Sequence, residues 1–202
     1  TVTQTAGDAT DRIIANLLRL DGPGSFVLDD PANDVNSIIA LFTGAVTYVD
    51  IDDLSTGFGA IGFNTTNQNA SLSATTILIN GGTTTSGNLT LTSTTSITQN
   101  LARDISAGGL ELLGAGTVTL ENVANNVTTL AINTGGAVSF LDANGFSVGT
   151  VNSTVVTGIP DGLHTWFVNV SDFVNNTGMS NETRTFFIDN TVPAGSGSGV
   201  FV

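Results

Sequence analysis

Residues 22–59 read GPGSFVLDDPANDVNSIIALFTGAVTYVDIDDLSTGFG, and residues 114–151 read GAGTVTLENVANNVTTLAINTGGAVSFLDANGFSVGTV. The two stretches align without a gap at an offset of 92. Identical pairs include Gly22/Gly114, Gly24/Gly116, Leu28/Leu120, Ala32/Ala124, Asn33/Asn125, Val35/Val127, Gly44/Gly136, Val46/Val138, Asp50/Asp142 and Gly57/Gly149. Tyr48/Phe140 and Ile38/Leu130 are conservative pairs in the same frame, and Thr3-Gln4 and Thr98-Gln99 precede the two copies as a weaker echo. Self-similarity of this kind marks a structural unit laid down twice in series.

Working outward, the period inside each copy is two. Thr117-Val118-Thr119-Leu120, Ala137-Val138-Ser139-Phe140 and Leu89-Thr90-Leu91-Thr92 alternate apolar and hydroxyl residues, as strands with one buried face do. Threonine and valine suit a pleated surface, and Gly, Asn and Asp punctuate the runs as in all-β architectures. One stretch is ambiguous. Behind Thr10 and Asp11, the apolar residues Ile13, Ile14, Leu17 and Leu18 follow helical spacing, with a plausible N-cap. The matching segment at 106–113 lacks that period, so helix and irregular strand both remain open. As a helix, 10–20 would cap the N-terminal end.

Composition shifts near Pro160, beyond which Trp166, Phe167, Phe173, Phe186 and Phe187 gather in a segment that does not repeat the modules. This segment predicts two strands, roughly 163–171 and 182–189, with a turn around Asn175-Asn176-Thr177-Gly178. Ala194 to Gly199 has linker composition, and Val200-Phe201-Val202 begins a further strand. The expected organisation is therefore a repeat-built β domain over 1–158, in modules of about 1–92 and 93–158. A strand pair over 159–193 and a linker over 194–202 follow. The start at Thr1, without Met or signal peptide, and the trailing strand suggest an excised piece of a longer protein.

Charge is scarce and one-sided. Seventeen acidic residues face four basic ones, a net charge of −13, and only 10% of the 202 residues are charged. Nucleic acid and anionic lipid are repelled at long range by such a chain. No apolar run approaches the roughly 18–20 residues of a membrane span, so membrane insertion is not expected. The four basic residues are Arg12, Arg19, Arg103 and Arg184; there is no lysine and no cysteine. Disulfides, thiolates, zinc–cysteine sites, Schiff bases, P-loops and lysine isopeptide bonds are excluded.

Two resemblances follow from particular phrases. LLGAGTVTLENVANNVTTLAI (112–132) and GGAVSFLDANGFSVGTV (135–151) closely resemble repeats of filamentous-haemagglutinin-type and autotransporter-type surface proteins. The resemblance covers roughly 1–155 and implies a secreted, right-handed parallel β-solenoid. Ser37-Ile38-Ile39-Ala40-Leu41-Phe42 departs from it by being more apolar than such repeats usually are. IPDGLHTWFVNVSDFVNNTGMSNETRTFFIDNTVP (159–193) resembles the closing strands of bacterial or archaeal immunoglobulin-like surface domains, less than half of such a sandwich. At about 20–25 residues per coil and about 4.8 Å per layer, the first 155 residues predict six or seven coils, a rod on the order of 30 Å. The expected fold is thus all-β, a parallel β-solenoid body with a C-terminal Ig-like antiparallel strand pair. The alternative is β-sandwich domains completed by donor-strand exchange.

Candidate chemistry is sparse. Eight Asn-X-Ser/Thr sequons, at Asn64, Asn69, Asn88, Asn126, Asn152, Asn169, Asn175 and Asn181, are glycosylation candidates, although a Thr/Asn-rich chain produces sequons by chance. Asp50-Ile51-Asp52-Asp53 and Asp29-Asp30 with Asn33-Asp34 could offer oxygens to Ca²⁺. The second module keeps only one carboxylate at each place, so solvated turn carboxylates are the expected reading, with no metal site. His164, with Ser171, Asp161 and Asp172, has the residue types of a hydrolytic triad but belongs to a phrase of structural type. A glycosidase carboxylate pair lacks the accompanying aromatics and bases. Threonine pairs such as Thr90/Thr92 and Thr117/Thr119 are too irregularly spaced for ice binding. No catalytic residue and no cofactor are expected.

These readings converge on an extracellular structural protein without enzymatic activity, a subunit of a surface filament or fibre or of an adhesin stalk. It would add head to tail through β-strand pairing into a homopolymer, with surface glycans as the other candidate partner. The alternative is a monomeric carbohydrate-binding or polysaccharide-processing β-solenoid domain.

Overall fold

The structure, a computed structural model, describes residues 1–4, 11–65 and 67–149, and the backbone of the strands Gly162–Trp166, Asn169–Ser171, Thr177–Met179 and Arg184–Ile188. The chain divides into two compact units, Thr1–Ser153 and Thr154–Val202. The described residues form strands and no helix.

The first unit is a parallel β-solenoid of about seven turns. Its first face stacks Val2–Thr3, Phe26–Leu28, Val46–Val49, then residues 70–74, 89–93, 109–114 and 129–134, and finally Ser147–Val148, each parallel to the next. The second face stacks 53–56, 76–79, 96–99, 117–120 and 138–140. The third stacks Ala40, 63–64, 83–85, 105–107 and 126–127. Ladder partners lie 18 to 24 residues apart, as between Leu130 and Val148 or Val46 and Ala70. At about 4.8 Å per step, seven steps stack to about 34 Å.

The period of two is what fills the interior. Leu28, Tyr48, Leu72, Leu91 and Leu112 stand directly above one another on the first face, all buried. Leu54, Ile77, Ile97 and Val118 do the same on the second. Each such side chain contributes about 1.5–3 kcal/mol by burial. Outward positions carry Ser71, Ser73, Thr90 and Thr92, but Thr90 and Thr92 are followed in the ladder by Glu111 and Leu113. No regular threonine array results.

Residues 11–21 form no helix. Ile14–Ala15 and Leu18–Asp21 are strands, parallel to Asp34–Val35 and Ser37–Leu41. Ile13, Ala15, Leu18 and Leu20 turn inward, while Ile14, 61% exposed, and Leu17 point out. A corner between two short strands shifts the alternation by one residue, which imitates helical spacing. The apolar stretch 37–42 also rounds a corner, pairing at Ser37 with one face and at Ala40 with the next. Ile38, Ile39 and Ala40 are all buried there, whereas Phe42 lies at the surface.

The sequence repeat does not match a whole number of turns. From Leu28, four turns of ladder partners lead to Leu112, and the eight residues from there to Leu120 carry the chain onto the second face. Equivalent residues of the two modules therefore occupy different faces.

In the second unit, Gly162–Trp166 pairs antiparallel with Arg184–Ile188, and Asn169–Ser171 with Thr177–Met179. Of the strand expected over 163–171, residues 163–166 and 169–171 are strand and pair with different partners; Thr177 and Gly178, expected in the turn, lie in a strand, and residues 167, 168, 175 and 176 lie outside the described residues. The linker 194–202 lies outside the described residues.

Candidate functional site

The polar identities of the sequence repeat converge at one kind of corner, built twice. Asn33 sits in the turn after Phe26–Leu28 and is 0% exposed. Its Oδ1 accepts the Ile13 N–H at 2.8 Å and Gln4 Nε2 at 2.8 Å. Its Nδ2 lies 3.0 Å from Gln4 Oε1, 3.3 Å from the Leu28 carbonyl and 3.2 Å from the Val49 carbonyl. One amide thereby ties together three consecutive turns.

Asn125, also 0% exposed, repeats the arrangement. Its Oδ1 accepts the Ile105 N–H at 2.8 Å and Gln99 Nε2 at 2.6 Å. Its Nδ2 faces Gln99 Oε1 at 3.1 Å, the Leu120 carbonyl at 3.3 Å and the Leu141 carbonyl at 3.1 Å. The first node occupies the corner between the first and second faces; the second occupies the corner between the second and third. Buried polar atoms cost stability unless paired, and here the pairs are reproduced partner for partner.

The aspartates complete each corner. Asp50 Oδ2 accepts the Val35 N–H at 2.9 Å and Asp142 Oδ2 the Val127 N–H at 2.8 Å. Their Oδ1 atoms accept the N–H groups of Asp52 and Asn144. In the first module Tyr48 adds a hydroxyl donor to Asp50 at 2.6 Å; Phe140 stands in its place in the second. Asp30 likewise accepts a backbone group, the Ala32 N–H, whereas the exposed Asp53 takes a side-chain donor, the Thr76 hydroxyl. Asp50 and Asp30 are buried rather than solvated, because corner N–H groups that leave the ladder need an acceptor inside it. Among the described residues no group of His, Cys, Asp and Glu is arranged to hold a metal ion.

Burial pushes the Asp50 carboxyl above the ordinary aspartate range, against the bonds from Tyr48, Val35 and Asp52 that pull it down. Burial and the bond to Asp50 push the Tyr48 hydroxyl far up, so it stays a donor. A folded carboxyl raised above its unfolded value of about 3.9 binds its proton over a pH window where the unfolded chain has lost it. Its contribution is fully present below that unfolded value and is lost as pH rises through the folded one. Asp50→Asn is expected to remove this loss, so that stability relative to wild type improves as pH rises above about 4. Urea midpoints of the two proteins across the acid range measure it; a constant difference at all pH values contradicts it.

Of the sequons, Asn64 ends a third-face strand, Asn69 is exposed in a loop, Asn88 lies within Thr83–Gln99 and Asn126 is exposed at the start of Asn126–Thr134. Asn69 Oδ1 accepts the Asn88 N–H at 2.9 Å. The backbone of Asn169 is in a strand, while Asn152, Asn175 and Asn181 lie outside the described residues. His164 and Ser171 fall on different antiparallel ladders, and Asp161 and Asp172 lie outside the described residues. Asn64 and Asn126 line one shallow trough of about 480 Å³ together with Phe42, Asn67, Thr84 and Ser86.

Gln4 and Gln99, the side-chain partners of the two buried asparagines, are the corner residues to which the sequence alone assigns no role. Their signal was the Thr-Gln echo ahead of each copy, and the Asn33/Asn125 identity was the other half of it. Neither a protein-family model, nor a curated protein, nor a solved structure matches the chain.

Proposed function

We propose that the chain is an extracellular structural segment, a unit of a surface filament or adhesin stalk, without enzymatic activity. The observation that carries the proposal is the twice-built Gln–Asn corner. The buried polar side chains that a catalytic cleft would aim at a substrate are here spent on backbone groups of adjacent turns. Such nodes resist unwinding of the stack under load, since separating two turns exposes several polar groups at once. The low charge fits a surface hydrated by threonine, serine and asparagine. Asn69 and Asn126 are exposed sequons at which glycans would add to that hydration.

Growth would proceed by strand addition. Val2–Thr3 pairs with Phe26–Leu28, and its other edge has no ladder partner among the described residues. The terminal strand of a parallel stack accepts a further strand of the same kind, from an earlier part of a longer chain or from a neighbour. In this reading the next copy supplies that strand, and the 159–193 segment is the end of an Ig-like domain completed by a neighbour. Electron microscopy and sedimentation of the native protein test the reading. Fibres, or mass that grows with concentration, are expected. A monodisperse monomer at every concentration, with no fibres, would sink it.

A further inference from the structure

We infer that the trough on the third face is a binding site for a neutral oligosaccharide, which stacks on the Phe42 ring and hydrogen-bonds to the amides and hydroxyls beside it. The trough runs across successive turns, from Phe42 past Asn64 and Asn67, then Thr84 and Ser86, to Asn126. Its volume of about 480 Å³ is in the range of small-molecule sites. The step between rungs, about 4.8 Å, is close to the length of one pyranose ring, so a chain of sugars lying along the stack meets a similar donor–acceptor set at each turn.

The chemistry of the walls selects the ligand class. Among the described residues, none that lines the trough is ionisable, although the chain carries a net charge of −13. Amides and hydroxyls supply both donors and acceptors without charge, which matches sugar hydroxyls and offers little to a phosphate, a metal ion or a basic peptide. The aromatic wall among the described residues, Phe42, is 68% exposed and stands outside the hydrophobic core. A π face presented to solvent attracts the polarised C–H groups of a sugar ring.

The backbone adds an independent observation. Phe42 and Asn67 are the two non-glycine residues with positive φ among the described residues, at 54° and 60°, and both line this trough. For a bulky side chain that conformation is sterically costly, and such outliers gather at binding sites. Packing gives no reason for it, because the ring is exposed. The sequence repeat gives none either, because Thr134 occupies the equivalent position. The Thr43 N–H, 3.3 Å from the Asn64 carbonyl, and the Gly44 N–H, 2.9 Å from the Gly24 carbonyl, hold the chain on either side of the strained turn.

Phe42→Gly separates a binding role from a structural one, since glycine relieves the strain while removing the ring. The full chain, made in a host that adds no N-glycans, is titrated with neutral hexaoses of glucose, xylose and mannose by calorimetry. Saturable binding of at least one is expected, weakened at least about tenfold in Phe42→Gly, while the urea midpoint stays the same or rises. The same titration on glycan-bearing protein separates the two sources of sugar. Binding there shows that the ligand is a free polysaccharide; loss there, with a glycan found on Asn64 or Asn126, shows that the protein's own glycan fills the trough. No binding by the bare protein, or equal binding by Phe42→Gly, overturns the inference. So does Phe42-dependent dimerisation in place of sugar binding.

Discussion

Asn125→Ala is expected to lower the stability of the solenoid by about 2–4 kcal/mol, far more than an ordinary surface-to-alanine change. The substitution leaves the Ile105 N–H without its acceptor and the Leu141 carbonyl without the Asn125 donor, while the Leu120 carbonyl keeps the Leu141 N–H. It also removes one partner from each end of the Gln99 amide, at 2.6 and 3.1 Å, leaving its Nε2 on the Arg103 carbonyl and its Oε1 on the Asn122 N–H. Each buried polar group left unpaired costs about 1–3 kcal/mol, and water entering the vacated space recovers part of it. Asn126→Ala, at the exposed neighbouring position, is the control and is expected to change stability by no more than about 0.5 kcal/mol. Urea unfolding followed by far-ultraviolet circular dichroism measures both. Hydrogen exchange should show the amides of Ile105 and Val127 losing protection first, because in a stacked-repeat protein each turn leans mainly on its neighbours. Equal midpoints for the two variants would mean that the node does not hold the turns together. Asn33→Ala should behave like Asn125→Ala, since the partners are the same in kind.

The second large effect is a contrast between two glycines in equivalent positions of the repeat. Gly22 and Gly114 have φ of +95° and +103°, so alanine is strained at either one. A Cβ on Gly22 meets nothing within 4 Å, whereas a Cβ on Gly114 would lie 2.1 Å from the Ser93 carbonyl oxygen, in the turn before. Gly22→Ala is expected to cost about 1–3 kcal/mol from backbone strain alone. Gly114→Ala should cost at least about 2 kcal/mol more, because backbone must move to admit the methyl group. Thermal or urea midpoints compare them directly. Equal losses would show that the turn at Gly114 is looser than its contact distance implies.

Much of this was legible in the residues. Alternation such as Leu89-Thr90-Leu91-Thr92 requires a sheet with one buried face, and spacing near twenty residues between such runs matches one turn of the stack. The identities Asn33/Asn125 and Asp50/Asp142 stand in the sequence, but the aspartates read there as solvated turn carboxylates; the burial of Asp50, Asn33 and Asn125 depends on which backbone groups the corners bring to them. Residues 11–21 were ambiguous for a physical reason: a one-residue corner between short strands and a helix place apolar side chains at overlapping positions. Phe42 belongs to an unusually apolar stretch. Nothing local distinguishes its outward ring from the buried Ile38, because the chain turns a corner between them.

Strand period, the repeat, and the absence of cysteine and lysine chemistry were settled by the sequence alone, because each is a property of neighbours along the chain. Which polar atoms meet was decided only by the winding. Gln99 and Asn125 are 26 residues apart and touch because one turn of the ladder lies between them. Two copies of one module came to lie on different faces because 92 residues make four turns and one face more. That remainder depends on the lengths of all the intervening corners together.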